Sequence, residues 1–290
     1  MRYKDLVQSL TDWKQLNINF FKSQLKNVQT GKIEFEYSRA LLPELVKNYS
    51  PVFFLSTGRC GTKYIANLLQ ENRFLDVYHH AFPELLFHQQ TAYVNPHSDE
   101  TKFVIEAARI ELIFESIRRN RIYVETNNRL TFFAYALATI FPKARFVHLI
   151  RHPIDFINSG LKRNWYSQKV IADAGRIVPE DHNIKWDLFE PFEKIAWLWY
   201  TTNQFIEDFK SQYAKQTFTF NSEDLFTNTN SLEELIGLIS NEKISRKMKK
   251  KFMKPINRQS KISSEKIILN KDNLPYQVIS KALLYKYHIE

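Results

Sequence analysis

Five short apolar runs recur along the chain: 52-VFFLS-56, 74-FLDVYH-79, 121-RIYVET-126, 145-RFVHLIR-151 and 217-TFTF-220. Runs this short, rich in Val, Ile, Phe and Tyr, suit buried strands better than core helices. Between them lie segments with apolar residues at helical spacing. These include 62-TKYIANLLQ-70, a mostly polar stretch at 102–118, 130-LTFFAYALATIF-141, 155–167, an amphipathic 192–213 carrying Trp197 and Trp199, and 231–240. Strands that alternate with helices need crossover connections, which predicts an α/β fold with a parallel sheet flanked by helices. Segment 168–190 is irregular and polar and reads as a loop over a site. Residues 1–50 show helical spacing (Leu6, Leu10, Trp13, Leu16, then a second run at 38–49) and read as a helical extension packed on a main body of residues 51–290.

The function classes narrow next. The chain has 290 residues, enough to bury an ample core. Its formal charge is +10 and it holds one cysteine, Cys60. The basic balance favours anionic partners, and a lone cysteine excludes an internal disulfide and fits a reducing compartment. The start, MRYKDLVQSLTDWKQ, lacks the apolar core of a secretion signal, and 130–141 falls well short of a membrane span. A cytoplasmic protein without a transmembrane segment is expected.

Only six glycines occur, so Gly58 and Gly61 in 53-FFLSTGRCGTKYIANLLQ-70 call for a reason. The turn after a buried strand places successive N–H groups at a helix N-terminus, which holds an anion through amide donors and the helix dipole. Arg59 adds a donor fork suited to phosphate oxygens, and Thr62 adds a hydroxyl. A plain strand-to-helix turn is the bland alternative. The Lys-Ser/Thr pair that organises a metal-bound triphosphate is missing.

A second element sharpens this. In 145-RFVHLIRHPIDFINSGLKRNWY-166 a strand ends in Arg151, a His-Pro turn follows, and Ser159 lies about two helical turns on, where Arg and Ser can share one phosphate. Together the two elements resemble the PAPS-dependent sulfotransferase superfamily (P-loop-like, bacterial type). Its phosphate loop, (K/R)-x-G-T, is matched by Arg59-Cys60-Gly61-Thr62, and its LxRxPxxxxxS signature by Leu149, Arg151, Pro153 and Ser159. The likeness is good over about 51–166 and weak over 217–227, where 220-FNSEDLF-226 is similar to a late family turn. Cys60 departs from the commoner Ser or Gly, which leaves the loop slightly altered or oxidisable. The family's Gly- and Lys-rich C-terminal motif is absent, with Arg258, Ser260 and Lys261 as stand-ins and a basic surface tail as the plainer reading.

The resemblance implies a donor, 3′-phosphoadenylyl sulfate (PAPS), whose product is adenosine 3′,5′-bisphosphate (PAP), and no metal. It implies that Thr57, Gly58, Arg59, Cys60, Gly61, Thr62 and Lys63 hold the 5′-phosphosulfate, and that Arg151 and Ser159 hold the 3′-phosphate. Arg163, four residues past Ser159, shares its helix face, and Ser222 lies at the NSED turn; both are candidate donor contacts, against surface-charge and turn-residue alternatives. Trp165 is a candidate for stacking, against a core role.

Arg59 would stabilise the leaving group. A general base is expected at a strand end: His80 first, since histidine titrates near neutrality, then Glu125, then His79. The expected acceptor is a hydroxyl of a glycan, lipid or small metabolite and not a nucleic acid; the net charge fits an anionic acceptor but serves the donor equally well. Two other readings stay open, a small-molecule P-loop kinase using ATP–Mg and a non-enzymatic nucleotide or nucleic-acid binder.

Overall fold

A computed structural model describes residues 46–167, 173, 175–181, 184–240 and 246–252. The chain divides into two units, Met1–Asn48 and Tyr49–Glu290. The expected N-terminal helices up to residue 45, and Arg258, Ser260 and Lys261, lie outside the described residues.

In the second unit five strands, β1 (Val52–Leu55), β2 (Leu75–Tyr78), β3 (Ile122–Glu125), β4 (Arg145–Ile150) and β5 (Thr217–Asn221), form one sheet in the order β2-β3-β1-β4-β5. Every pairing is parallel. The helices are α1 (Thr62–Leu69), α2 (Gln89–Val94), α3 (Asp99–Arg118), α4 (Ala134–Ile140), α5 (Pro153–Leu161), α6 (Pro191–Gln212), α7 (Ser222–Thr227), α8 (Thr229–Ser240) and α9 (Arg246–Phe252). Among the described residues no helix is long and apolar enough to cross a membrane.

Central position explains why β1 reads as an unbroken apolar run. All four of its residues are buried, and the two-residue period of a strand sends them to opposite faces. Val52 and Phe54 join Ile65 and Leu69 of α1 and Leu235 and Ile236 of α8. Phe53 meets Phe141, Phe146 and Tyr123 at centroid distances of 6.1, 5.9 and 6.1 Å on the other face, where Phe209 of α6 continues the aromatic layer.

Helix starts follow their capping chemistry. Ser98 accepts the N–H of Thr101 to open α3, Pro153 supplies the first residue of α5, and Glu190 with Glu193 forms a capping box on α6. Two expectations shift in detail. Segment 130–141 is not one helix: a 3-10 stretch, Asn128–Phe133, precedes α4, because Asn127 caps the turn by accepting the N–H of Arg129. The NSED stretch is a short helix, α7, rather than an open turn. The 247–251 lysines lie on α9, where Lys247 and Lys251 reach Glu71 and Lys249 reaches Glu233.

Because all strands run the same way, their C-terminal ends share one edge of the sheet. Strand order reverses around β1, with β3 on one side and β4 on the other, so the loops after them open a crevice at that edge.

Candidate functional site

The loop after β1 takes a left-handed course that its sequence permits. Gly58, Arg59 and Gly61 have φ of 80°, 59° and 77°, a region costly for residues with a Cβ. Gly61 is needed for space as well, since a Cβ there would lie 1.9 Å from Cζ of Phe226. Phe226 packs edge-on to Tyr64 of α1. Gly58 lies against the Asn128 side chain, with 3.0 Å from a built Cβ to Cγ. The loop is pinned across the sheet edge, because Ser56 donates its N–H to Thr131 Oγ1 at 3.0 Å and accepts from that hydroxyl at 2.9 Å. No side chain caps α1, so its first-turn amides keep their pull on an anion.

Cys60 turns its thiol under the loop, where it donates to the Gly58 carbonyl at 3.2 Å. It is buried in the apolar layer beneath α1, and its thiol lies 3.5 Å from Thr57 Oγ1. Burial pushes the thiol up to about 11, so it stays protonated and unreactive at neutral pH. The oxidisable loop expected from the sequence is therefore shielded in the fold.

Three arginines converge on the turn. Arg59 Nε donates to Ser159 Oγ at 3.3 Å, although the two are 100 positions apart. Arg163 Nη1 donates to the same hydroxyl at 3.0 Å and to the Ser159 carbonyl at 2.7 Å, and Arg151 Nη1 donates to the Arg59 carbonyl at 2.9 Å. Among the described residues none of the three forms an ion pair with a carboxylate. Desolvation, then Arg163 and Arg151, lower the pKa of Arg59, and desolvation, then Arg151, lower that of Arg163. Like charges held this close without a counter-ion form a site for a multiply charged anion. Ser222 is buried beside the loop and donates to the Ile150 carbonyl at 2.8 Å, while Trp199 Nε1 donates to the Arg151 carbonyl at 2.9 Å.

The loop after β2 carries the histidines. His80 Nδ1 lies 3.6 Å from Glu84 Oε1, and the carboxylate of Glu84 also contacts Arg129. Desolvation first, then Arg129 and Lys63, lower the pKa of His80, so the ring is neutral at physiological pH. His79 Nδ1 lies 3.0 Å from Thr126 Oγ1, and its pKa falls to about 4, through desolvation, then His80 and Lys63. Lys63, in the first turn of α1, thus acts electrostatically on both rings.

Glu125 is placed differently. It is fully buried and grips the equally buried Arg109 of α3 through Nε–Oε2 at 2.7 Å and Nη2–Oε1 at 3.0 Å, while Tyr123 donates to Oε2 at 2.7 Å. Arg109 in turn donates to the carbonyls of Pro83 at 2.9 Å and Ala81 at 3.5 Å. Glu125 therefore acts through Arg109 on the backbone just after His80.

A cavity of ≈ 280 Å³ runs from the glycine turn past both histidines. Thr57, Gly58, Arg59, Thr62 and Arg163 line one part; Leu86, Phe132, Trp165, Ile177 and Leu198 give it apolar walls. Arg129 and Arg176 also line it, and sequence reasoning missed both. The position of Arg129, directly after a strand end in 123-YVETNNR-129, was the one available signal; Arg176 lies in a segment with no periodicity.

Comparison with known proteins follows from this geometry. The model of the sulfotransferase family matches residues 51–183. No curated protein matches the sequence. Among solved structures the chain is similar to a sulfotransferase domain from the curacin biosynthetic pathway (17% identity, 70% of this chain and 77% of that one, TM-score 0.48). It is also similar to the sulfotransferase domain of the Synechococcus PCC 7002 olefin synthase (17%, 83% and 89%, 0.45) and to a sulfotransferase from Alicyclobacillus acidocaldarius (14%, 69% and 88%, 0.43).

Proposed function

We propose that this chain, whose residues 51–183 match the model of the sulfotransferase family, transfers a sulfuryl group from PAPS to an acceptor hydroxyl. The observation that carries this reading is the convergence of Arg59, Arg151 and Arg163 on Ser159 and the glycine turn, with none of the three ion-paired to a carboxylate among the described residues. The glycines let the turn hold its left-handed course against Phe226 and Asn128, and the uncapped first turn of α1 that follows supports an anion through its amides.

The donor supplies the sulfuryl group and departs as PAP. Amides of residues 58–63 and the Arg59 guanidinium hold the 5′-phosphosulfate; Arg151 and Ser159, with Arg163, hold the 3′-phosphate. His80 takes the proton from the acceptor hydroxyl at Nε2, while Glu84 facing Nδ1 orients the ring. The acceptor oxygen forms its bond to sulfur as the bond from sulfur to the bridging oxygen breaks, and Arg59 stabilises the charge left on that oxygen. His79 is a weaker base, since Nδ1 is engaged by Thr126 and its pKa is lower.

Thermal-shift and calorimetric titration with PAP, ATP–Mg and a single-stranded oligonucleotide test this. PAP alone should stabilise the protein. Arg151→Ala or Arg59→Ala should weaken PAP by roughly 10- to 100-fold, the loss of one charge-assisted contact. His80→Ala should keep PAP affinity while turnover drops about 10²- to 10⁴-fold. Stabilisation by ATP–Mg and not by PAP would refute the assignment.

A further inference from the structure

Among the described residues four arginines line the cavity (Arg59, Arg129, Arg163, Arg176) and no acidic residue does. They fall into two groups. Arg59 and Arg163 meet at Ser159 and belong with Arg151 to the phosphate turn. Arg129 lowers the pKa of His80, and Arg176 contributes, after desolvation, to lowering that of Arg129. By geometry, Arg129 contacts the Glu84 carboxylate that also faces His80, and Arg176 stands over Trp165, so both line the cavity outside the hydrogen bonds of the glycine turn.

Arg176 is held in place by its surroundings rather than left to sweep through solvent. Its guanidinium stacks over Trp165 at 3.8 Å, and Nε donates to Asp173 at 2.8 Å. The flanking backbone is latched: Gln89 Nε2 donates to the Gly175 carbonyl at 2.8 Å, Tyr166 Oη donates to that of Ile177 at 2.8 Å, and Val178 exchanges two hydrogen bonds with Gln90. Asp173 and Glu84 each face one of these arginines from outside the lining, which leaves further guanidinium donors for a ligand. Thr202 of α6 also lines the cavity, is 2% exposed, and its hydroxyl has no hydrogen-bond partner among the described residues, an unmet polar group.

Building on the sulfuryl-transfer reading, we propose that the acceptor is a small hydroxy compound that carries its own anionic group, held by Arg129 and Arg176, with a flat or apolar body between that group and the hydroxyl presented to His80. Phe132, Trp165 and Leu198 receive the body, and Thr202 meets a polar substituent on it. The cavity, at ≈ 280 Å³, lies at the small end of ligand sites, which favours a small metabolite over a polymer segment.

The test uses a matched set on one benzylic scaffold: 4-(hydroxymethyl)benzoate, its phosphate-bearing analogue, the neutral amide and the corresponding amine. Binding is measured by calorimetry with and without PAP, and turnover with PAPS. The expected result is a preference of ~10-fold or more for the anionic members over the amide, with the amine weakest, as one charge-assisted contact confers. Arg176→Gln should bring the acid-to-amide ratio close to one with PAP affinity unchanged, and Arg176→Lys should restore part of it. Arg129→Gln provides a second reading should the first variant misfold. Equal binding of acid and amide by the wild type, or a preference that survives both variants, overturns the proposal. The carboxylate and phosphate arms tell which anion the pair prefers. PAP titration reports separately on the donor site, so failure there leaves the acid-to-amide comparison on the free protein intact.

Discussion

Glu125→Gln separates a scaffold from a catalyst. Glu125 and Arg109 are 0% and 1% exposed and share two contacts of 2.7 and 3.0 Å. Replacing the carboxylate by an amide leaves a buried guanidinium without a counter-charge and turns an NH2 group toward donors from Arg109 and Tyr123. Breaking a buried pair in this one-sided way costs about 3–5 kcal/mol, a large share of the roughly 5–15 kcal/mol that holds a domain folded. With a urea m-value of about 1–3 kcal/mol/M, the unfolding midpoint should fall by about 1–5 M. Arg109→Met combined with Glu125→Leu removes both charges and should recover much of the loss. Because Arg109 also holds the carbonyls of Ala81 and Pro83, turnover in the single variant should decline together with stability. Should Glu125→Gln keep its stability within about 0.5 kcal/mol and lose turnover with PAP affinity intact, Glu125 is the base and the scaffold argument fails.

Gly61→Ala should cost about 1–2 kcal/mol for its left-handed φ and about 1–3 kcal/mol more for displacing Phe226; a double-mutant cycle with Phe226→Ala should return the second part as coupling, whereas strict additivity would contradict the contact. Thr131→Val removes both bonds to Ser56 and should destabilise by about 1–3 kcal/mol, with weaker PAP binding by calorimetry as the loop loosens. His79 is held neutral in the fold, about 4 against 6.5, so the unfolded chain takes up the proton first. Stability on its account is intact above pH 6.5 and lost as pH falls through 4. Urea midpoints from pH 7.5 to 4.5 should therefore fall more steeply in wild type than in His79→Gln, and parallel curves would disprove the role.

Much of the framework was legible because it rests on local rules. The two-residue period and the apolar runs exposed the strands, and the glycines at 58 and 61 marked backbone that only they accept easily. Asn127 hid the 3-10 stretch at 128–133, since a cap competes with helical spacing without altering the apolar pattern. Likewise Glu125 reads as a strand-end acid until Arg109, from another helix, occupies both its oxygens.

The sequence alone determined a parallel α/β sheet, a glycine turn after its first strand and an Arg-to-Ser element after its fourth, all properties of backbone conformation written in neighbouring residues. Tertiary structure decided which groups meet: Arg59 with Ser159, Thr131 with Ser56, Arg109 with Glu125, and the Cys60 side chain with the apolar layer under the loop. Those pairings depend on strand order, which brings the loops after β1, β3 and β4 to a single edge, and on which face each side chain takes, and neither is encoded in the spacing of residues along the chain.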